Sequence, residues 1–171
     1  MNTSSQNRAP ENDTPPEEWQ AKVAGANISQ QTLLATDYLN HFNEIVMLMD
    51  ILADMPELLE ECLQWTPKSY QEHFRDSSFS DKELAIEAYN HVPARYKRPF
   101  EDTVAQMDSI VQQSLERVAE AVKLQDQEIV RARAKAGSTA LQRLIDVASS
   151  IIHGRDAAMD QSQIDEIFRH L

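Results

Sequence analysis

Cysteine, glycine and aromatic residues are all scarce in this chain of 171 residues, which has one Cys, three Gly and an aromatic content of 6%. The lone Cys62 has no partner for an intramolecular disulfide. It lies among Leu58, Leu59 and Leu63, where a thiol is expected to be buried and inert rather than nucleophilic. Few glycines and few large rings argue against a β-rich fold, which relies on tight turns and bulky cross-strand pairs. No stretch approaches the roughly 18 apolar residues that a membrane span requires. The first residues, MNTSSQNRAPENDTPPEEW, lack the basic start and apolar run of a secretory signal, so a reducing, cytoplasmic setting is expected.

Positive charge is also in short supply. The formal net charge is −12, and no Lys or Arg occurs between Lys22 and Lys68, where Asp37, Glu44, Asp50, Asp54, Glu57, Glu60 and Glu61 accumulate. Phosphates are repelled by such a surface, so neither nucleic acid nor an anionic membrane is expected as a partner. A small basic cluster follows at Arg95, Lys97 and Arg98, and a split of this kind orients a protein on a partner or on a second copy of itself.

What is present is helical periodicity. Residues 1–27 are rich in Ser, Asn, Pro and Glu, with Trp19 the exception, and are expected to form a disordered leader. From there to residue 154 the pattern predicts one helical domain. Leu33, Leu34, Tyr38, Leu39, Phe42, Ile45, Val46, Met49 and Leu52 recur at three- and four-residue steps, predicting a helix over about 30–53. Asp54-Met55-Pro56-Glu57, Thr66-Pro67 and Ser80-Asp81-Lys82-Glu83 read as helix starts, and Val92-Pro93 as a break. Residues 54–98 are therefore expected to be short helices and turns. Beyond Pro99, a stripe of Phe100, Val104, Met107, Val111, Val118, Val122 and Ile129 runs uninterrupted to Gly137 and predicts a helix of about 35 residues. Gly137-Ser138 reads as the turn into a further helix that Gly154 ends. The expected fold is all-α: a bundle with a long central helix or hairpin, short helices across one end and a C-terminal docking helix. Its exposed stripes also admit a homodimer.

Catalytic signals are sparse. There is no Gly-x-Ser-x-Gly elbow, no Gly-rich phosphate loop and no Cys-rich or His-x-x-x-His spacing, so no cofactor and no metal are expected. His41 with Glu44, and Glu87 with His91, each share a helix face, but solvated surface pairs of this kind are common.

Residues 155–171 are expected to form a linker and an amphipathic peptide. In Met159-Asp160-Gln161-Ser162-Gln163-Ile164-Asp165-Glu166-Ile167-Phe168, Asp160 can cap a helix and Gln163 can reach back to it. Ile164, Ile167, Phe168 and Leu171 then form one apolar ridge suited to a partner's groove. The segment resembles the N-terminal peptide of the flagellar motor switch protein, whose pattern is Leu-Ser-Gln-x-Glu-Ile-Asp-x-Leu-Leu. Gln161, Ile164 and Asp165 are identical to it, and Met159, Asp160, Gln163, Ile167 and Phe168 are similar replacements. The resemblance covers about ten residues and implies a phosphorylated response-regulator receiver domain as partner, bound by Gln161, Ile164, Asp165, Ile167 and Phe168. The chemotaxis phosphatase carries a related docking helix at its own C-terminus, on a long helical hairpin. It uses an Asp and a Gln one turn apart, the Gln orienting water for attack on an aspartyl phosphate. Asp102 with Gln106, and Asp108 with Gln112, have that spacing here, although residues 29–96 depart from that family. The expected function is thus a non-enzymatic interaction protein of motility or chemotaxis signalling. A phosphatase of the chemotaxis type and an accessory subunit of a larger complex are the alternatives.

Overall fold

A computed structural model describes residues 13–155 and 159–171. Among these residues all regular structure is helical, as the composition and periodicity require. The helices are α1 (Glu17–Val23), α2 (Asn40–Leu52), α3 (Leu59–Leu63), α4 (Tyr70–Asp76), α5 (Lys82–Tyr89), α6 (Ala94–Lys123), α7 (Gln127–Ile152) and α8 (Gln161–Arg169). Short 3-10 turns at Thr36–Leu39 and Pro56–Leu58 lead into α2 and α3. The two long helices pack along each other as an antiparallel hairpin, α2 lies along α7, and α4 and α5 pair beside them.

The hairpin turn is not where the glycine predicts it. Gly137 sits inside α7, and the chain reverses at Leu124–Asp126 instead. Gln125 takes a positive φ of 55° there, and Asp126 caps α7 by accepting hydrogen bonds from the Glu128 and Ile129 amides. Gly137 serves packing: a Cβ at this position would lie 2.5 Å from Ser114 Oγ, so its absence sets how closely α6 and α7 approach. At its other end α6 begins at Ala94, five residues before Pro99, with Pro93 as the residue preceding its first turn. Pro99 is tolerated inside the helix, and its carbonyl accepts a hydrogen bond from Thr103 Oγ1 at 2.7 Å.

Two further expectations need correction. The predicted helix over 30–53 starts only at Thr36, because Leu33 adopts a left-handed φ of 65° and the segment before it plugs the end of α7 as a loop. Thr32 Oγ1 donates to the Ile152 carbonyl at 2.6 Å and accepts from the Leu34 amide, so this loop's buried polar groups are met. The leader expected over 1–27 is not wholly irregular: Glu17–Val23 form α1, which buries Trp19 and Val23. Trp19 stacks on His91 at 4.3 Å, and one large ring with one valine suffices to anchor a two-turn helix. Residues 1–12 of that leader, and 156–158 of the expected linker, lie outside the described residues.

The short-helix region is held by rings. Tyr38 meets Phe42, Tyr70 and Phe100 with centroids 5.3–5.8 Å apart, and Tyr70 stacks on Tyr89 at 4.6 Å. Each hydroxyl in this cluster stays partnered. Tyr38 Oη donates to the Lys68 carbonyl, Tyr70 Oη accepts from the Ala35 amide, and Tyr89 Oη donates to Glu101. The start of α4 is fixed by a capping box of Ser69 and Glu72, three residues beyond the Thr66-Pro67 start expected.

Candidate functional site

The C-terminal helix forms as its cap requires. Asp160 accepts from the Gln163 amide at 2.9 Å, and Gln163 Oε1 accepts from the Asp160 amide at 3.0 Å. Hydrogen bonds from Ser162 Oγ and the Gln163 amide hold the Asp160 carboxyl below the usual carboxylate range. The apolar ridge, however, is turned inward. Ile167 is 2% exposed, while Ile164, Phe168 and Leu171 are half-buried. Met159, Phe168 and Leu171 pack against the core, and Arg117 donates to the Leu171 carbonyl. The ridge is therefore folded back on the body of the chain. A short helix with large side chains on one side covers the nearest apolar surface, here its own hairpin. Gln161 and Asp165, two of the three residues identical to the motor switch pattern, lie on the solvent side and are joined by a 2.9 Å hydrogen bond.

Ile164 reaches into a cleft of about 210 Å³ whose walls include Pro99, Asp102, Thr103, Gln106 and Leu144. The structure thus brings one Asp–Gln pair, Asp102 with Gln106, beside the C-terminal segment. The second pair is elsewhere. Asp108 lies six residues beyond Asp102, about 240° around the helix at 100° per residue. It lines another cleft, of about 260 Å³, together with Gln112.

The walls of this second cleft are mainly apolar: Leu63, Trp65, Pro67, Val111 and Leu115, with Glu116 at the rim. Asp108 is half-buried, and its Oδ1 is enclosed without a hydrogen-bond partner. Burial beside these side chains pushes its carboxyl up to about 6. Trp65 is rigidly placed. Its ring stacks on His41 at 4.6 Å, its indole N–H donates to the His41 carbonyl at 2.9 Å, and His41 Nε2 bonds the Thr66 carbonyl at 2.8 Å. His41 therefore serves as a structural strut, and burial lowers its proton affinity.

Trp65 also walls a third cleft, of about 460 Å³, with Glu44, Met47, Leu48, Ile51, Glu61 and Gln64. Its apolar members are unusually open: Met47 is 61% exposed and Ile51 46%, and Leu63 beside them is 51% exposed. Sequence reasoning missed this face. Met47, Ile51 and Leu63 fall close to the core stripes, and only the run of acidic residues without Lys or Arg marks the region out. The five histidines and the acidic residues form no group that could hold a metal among the described residues, and no described helix is long and apolar enough to cross a membrane. Set beside known protein families, curated proteins and solved structures, the chain matches none of them.

Proposed function

We propose that the chain is a non-enzymatic helical interaction protein of a cytoplasmic signalling system, engaging its partner with α8 after that helix leaves the hairpin. The partner implied by the motif is a receiver domain of motility or chemotaxis signalling. The observation that supports this reading is the thin seating of α8. It buries a single residue, Ile167, and leaves the rest of its ridge half-open. Full burial of one such side chain is worth about 1.5–3 kcal/mol, and the partly buried ones add less. Ordering a terminal segment opposes this at roughly 1–2 kcal/mol per residue before its own helical bonds form. Docking is therefore weak, and a partner offering a better groove for Ile164, Ile167 and Phe168 can win the helix. The half-open ridge gives such a partner a first contact.

The test is binding of a receiver domain, activated with beryllofluoride, to the full chain, to a chain lacking residues 159–171, and to Phe168→Asp. Capture by the full chain and loss in both variants supports the proposal. Equal capture by all three, or none by the full chain, defeats it.

A second reading, an aspartyl-phosphate phosphatase, is favoured by one observation: Asp102 and Gln106 line the same cleft as Ile164 and Gln161. A carboxamide there could orient water towards a phosphoryl group carried by a domain that α8 has engaged. Wild-type chain that leaves the lifetime of a phosphorylated receiver unchanged ends this reading. Acceleration lost in Gln106→Ala supports it.

A further inference from the structure

The face around Trp65 is independent of α8 and has a different chemistry. It is an apolar patch, open to solvent, on a ground of unmatched negative charge. Met47, Ile51 and Leu63 expose about half or more of their surface, and Trp65 joins the two clefts they border. Around them, Glu44 and Glu61 line one cleft and Glu116 the other, and none of the three has an ion-pair partner among the described residues. Only the far edge is neutralised, where Arg131 pairs with Asp54 at 3.2 Å and Lys135 approaches Asp50 at 3.8 Å. At the floor of the adjoining cleft stands Asp108, whose enclosed Oδ1 has no partner.

From this geometry we infer that the Met47–Ile51–Leu63–Trp65 face is a docking surface for a basic amphipathic helix of a partner protein, with one Lys or Arg side chain entering the cleft to meet Asp108. Each part of that occupant answers a feature of the surface. Methionine, isoleucine, leucine and an indole face accept the apolar stripe of a helix laid across them, and methionine adapts to varied side chains. The unpaired glutamates attract the basic flanks and raise the encounter rate. The stem of a Lys or Arg suits the walls of Leu63, Pro67, Val111 and Leu115, while its head passes the Trp65 ring and reaches the carboxylate. The chain's own α8 is excluded as the occupant. Its flanks carry Asp160, Asp165 and Glu166 against one Arg169, so acid would be laid on acid.

The test uses an 18-residue Lys/Leu amphipathic peptide, a scrambled peptide of the same composition, and full-length chain carrying Trp19→Phe so that Trp65 alone reports emission. The amphipathic peptide is expected to shift Trp65 emission and to bind at least tenfold more tightly than the scrambled one. Met47→Lys, at a position open enough to leave folding intact, should weaken binding at least tenfold, and Asp108→Asn at least threefold. Glu166→Gln, which lowers the negative charge equally but on α8, should leave binding within twofold. Equal binding of the scrambled peptide, or equal losses in Asp108→Asn and Glu166→Gln, would show charge attraction alone and overturn the proposal. Concentration-dependent dimerisation removed by Met47→Lys would assign the face to a second copy and overturn it as well.

Discussion

An ionised carboxylate with no partner, enclosed by apolar walls, should cost the folded chain stability at neutral pH, and Asp108→Asn measures that cost. The carboxyl is raised from an ordinary 3.8 to about 6 by burial. A group that binds its proton more tightly when folded opposes folding once the proton is gone. The penalty is absent below about pH 4, grows between about pH 4 and pH 6, and is constant above that window. At 1.36 kcal/mol per tenfold in proton affinity the rise corresponds to about 3 kcal/mol, and solvent screening of a half-buried group brings it to about 1–2 kcal/mol. Asparagine has the same shape and never ionises, so the variant should be more stable than the parent by about 1–2 kcal/mol at pH 8, or very roughly 2–8 °C in melting temperature. At pH 4 the two should coincide to within the cost of one unpaired amide. Urea unfolding followed by circular dichroism at pH 4, 5, 6 and 8 gives the difference curve. His41, whose proton affinity burial lowers, titrates alike in both proteins and cancels from it. A difference that is flat across the four pH values, or a variant that is weaker at pH 8 than at pH 4, would refute the reasoning and mean that Asp108 has a partner in solution.

Removing residues 159–171 should lower global stability by no more than about 2–3 kcal/mol, the worth of one buried side chain and a few half-buried ones. In the full chain, amides of α8 should exchange hydrogen well before those of α6 and α7, and equal protection would show that α8 is part of the core. Gly137→Val should destabilise the hairpin by about 1–3 kcal/mol, since the added atoms meet Ser114. Adding Ser114→Gly should recover part of that loss, less the roughly 1 kcal/mol that glycine costs inside α6, and thermal unfolding of the double variant checks it. Thr32→Val should cost about 1–3 kcal/mol by leaving the Ile152 carbonyl without its 2.6 Å donor, a loss that chemical denaturation would register.

The all-helical class, the cap at Asp160 and the long helices follow from patterns with a local cause. An apolar stripe must face a core, and an oxygen at a helix start meets free amides whatever surrounds it. Asp160 and Gln163 were legible for that reason, and so was the end of α7 at Gly154, where φ is +77°. The hairpin turn was not. Gly137 carries the same local signal as a turn glycine, and only the approach of Ser114 from a different helix explains its place inside α7. Gln125 gives no special warning that it will take a positive φ. Leu33 and Leu34 match a helical face in spacing, but the bond from Thr32 to the end of α7 draws them into a loop, and that contact spans 120 residues. Among the candidate site residues, the four-residue spacing sets Asp102 beside Gln106 and Asp108 beside Gln112 on α6. It could not say that one pair would lie under α8 and the other beneath Trp65.

That division sets the two faces of α6 apart. Asp102 and Gln106 border a cleft that the chain's own helix partly covers, and Arg117 on the same long helix holds the α8 terminus through the Leu171 carbonyl. There the acidic segment meets a cation at its end, while Ile167 carries its seating. On the Trp65 side, Glu116 and the glutamates of the short-helix region offer it only repulsion. Self-docking thus selects one face and leaves the other bare, with its methionine, isoleucine and indole open and its carboxylate unpaired. Raising the salt concentration should separate the two. Contacts to the Trp65 face by a basic helix rest on unscreened surface charge and should weaken steeply, whereas α8, held chiefly by Ile167, should stay in place. Amide exchange of α8 measured alongside Trp65 emission in the same titration would decide it, and joint release of both would mean that the two faces are not independent.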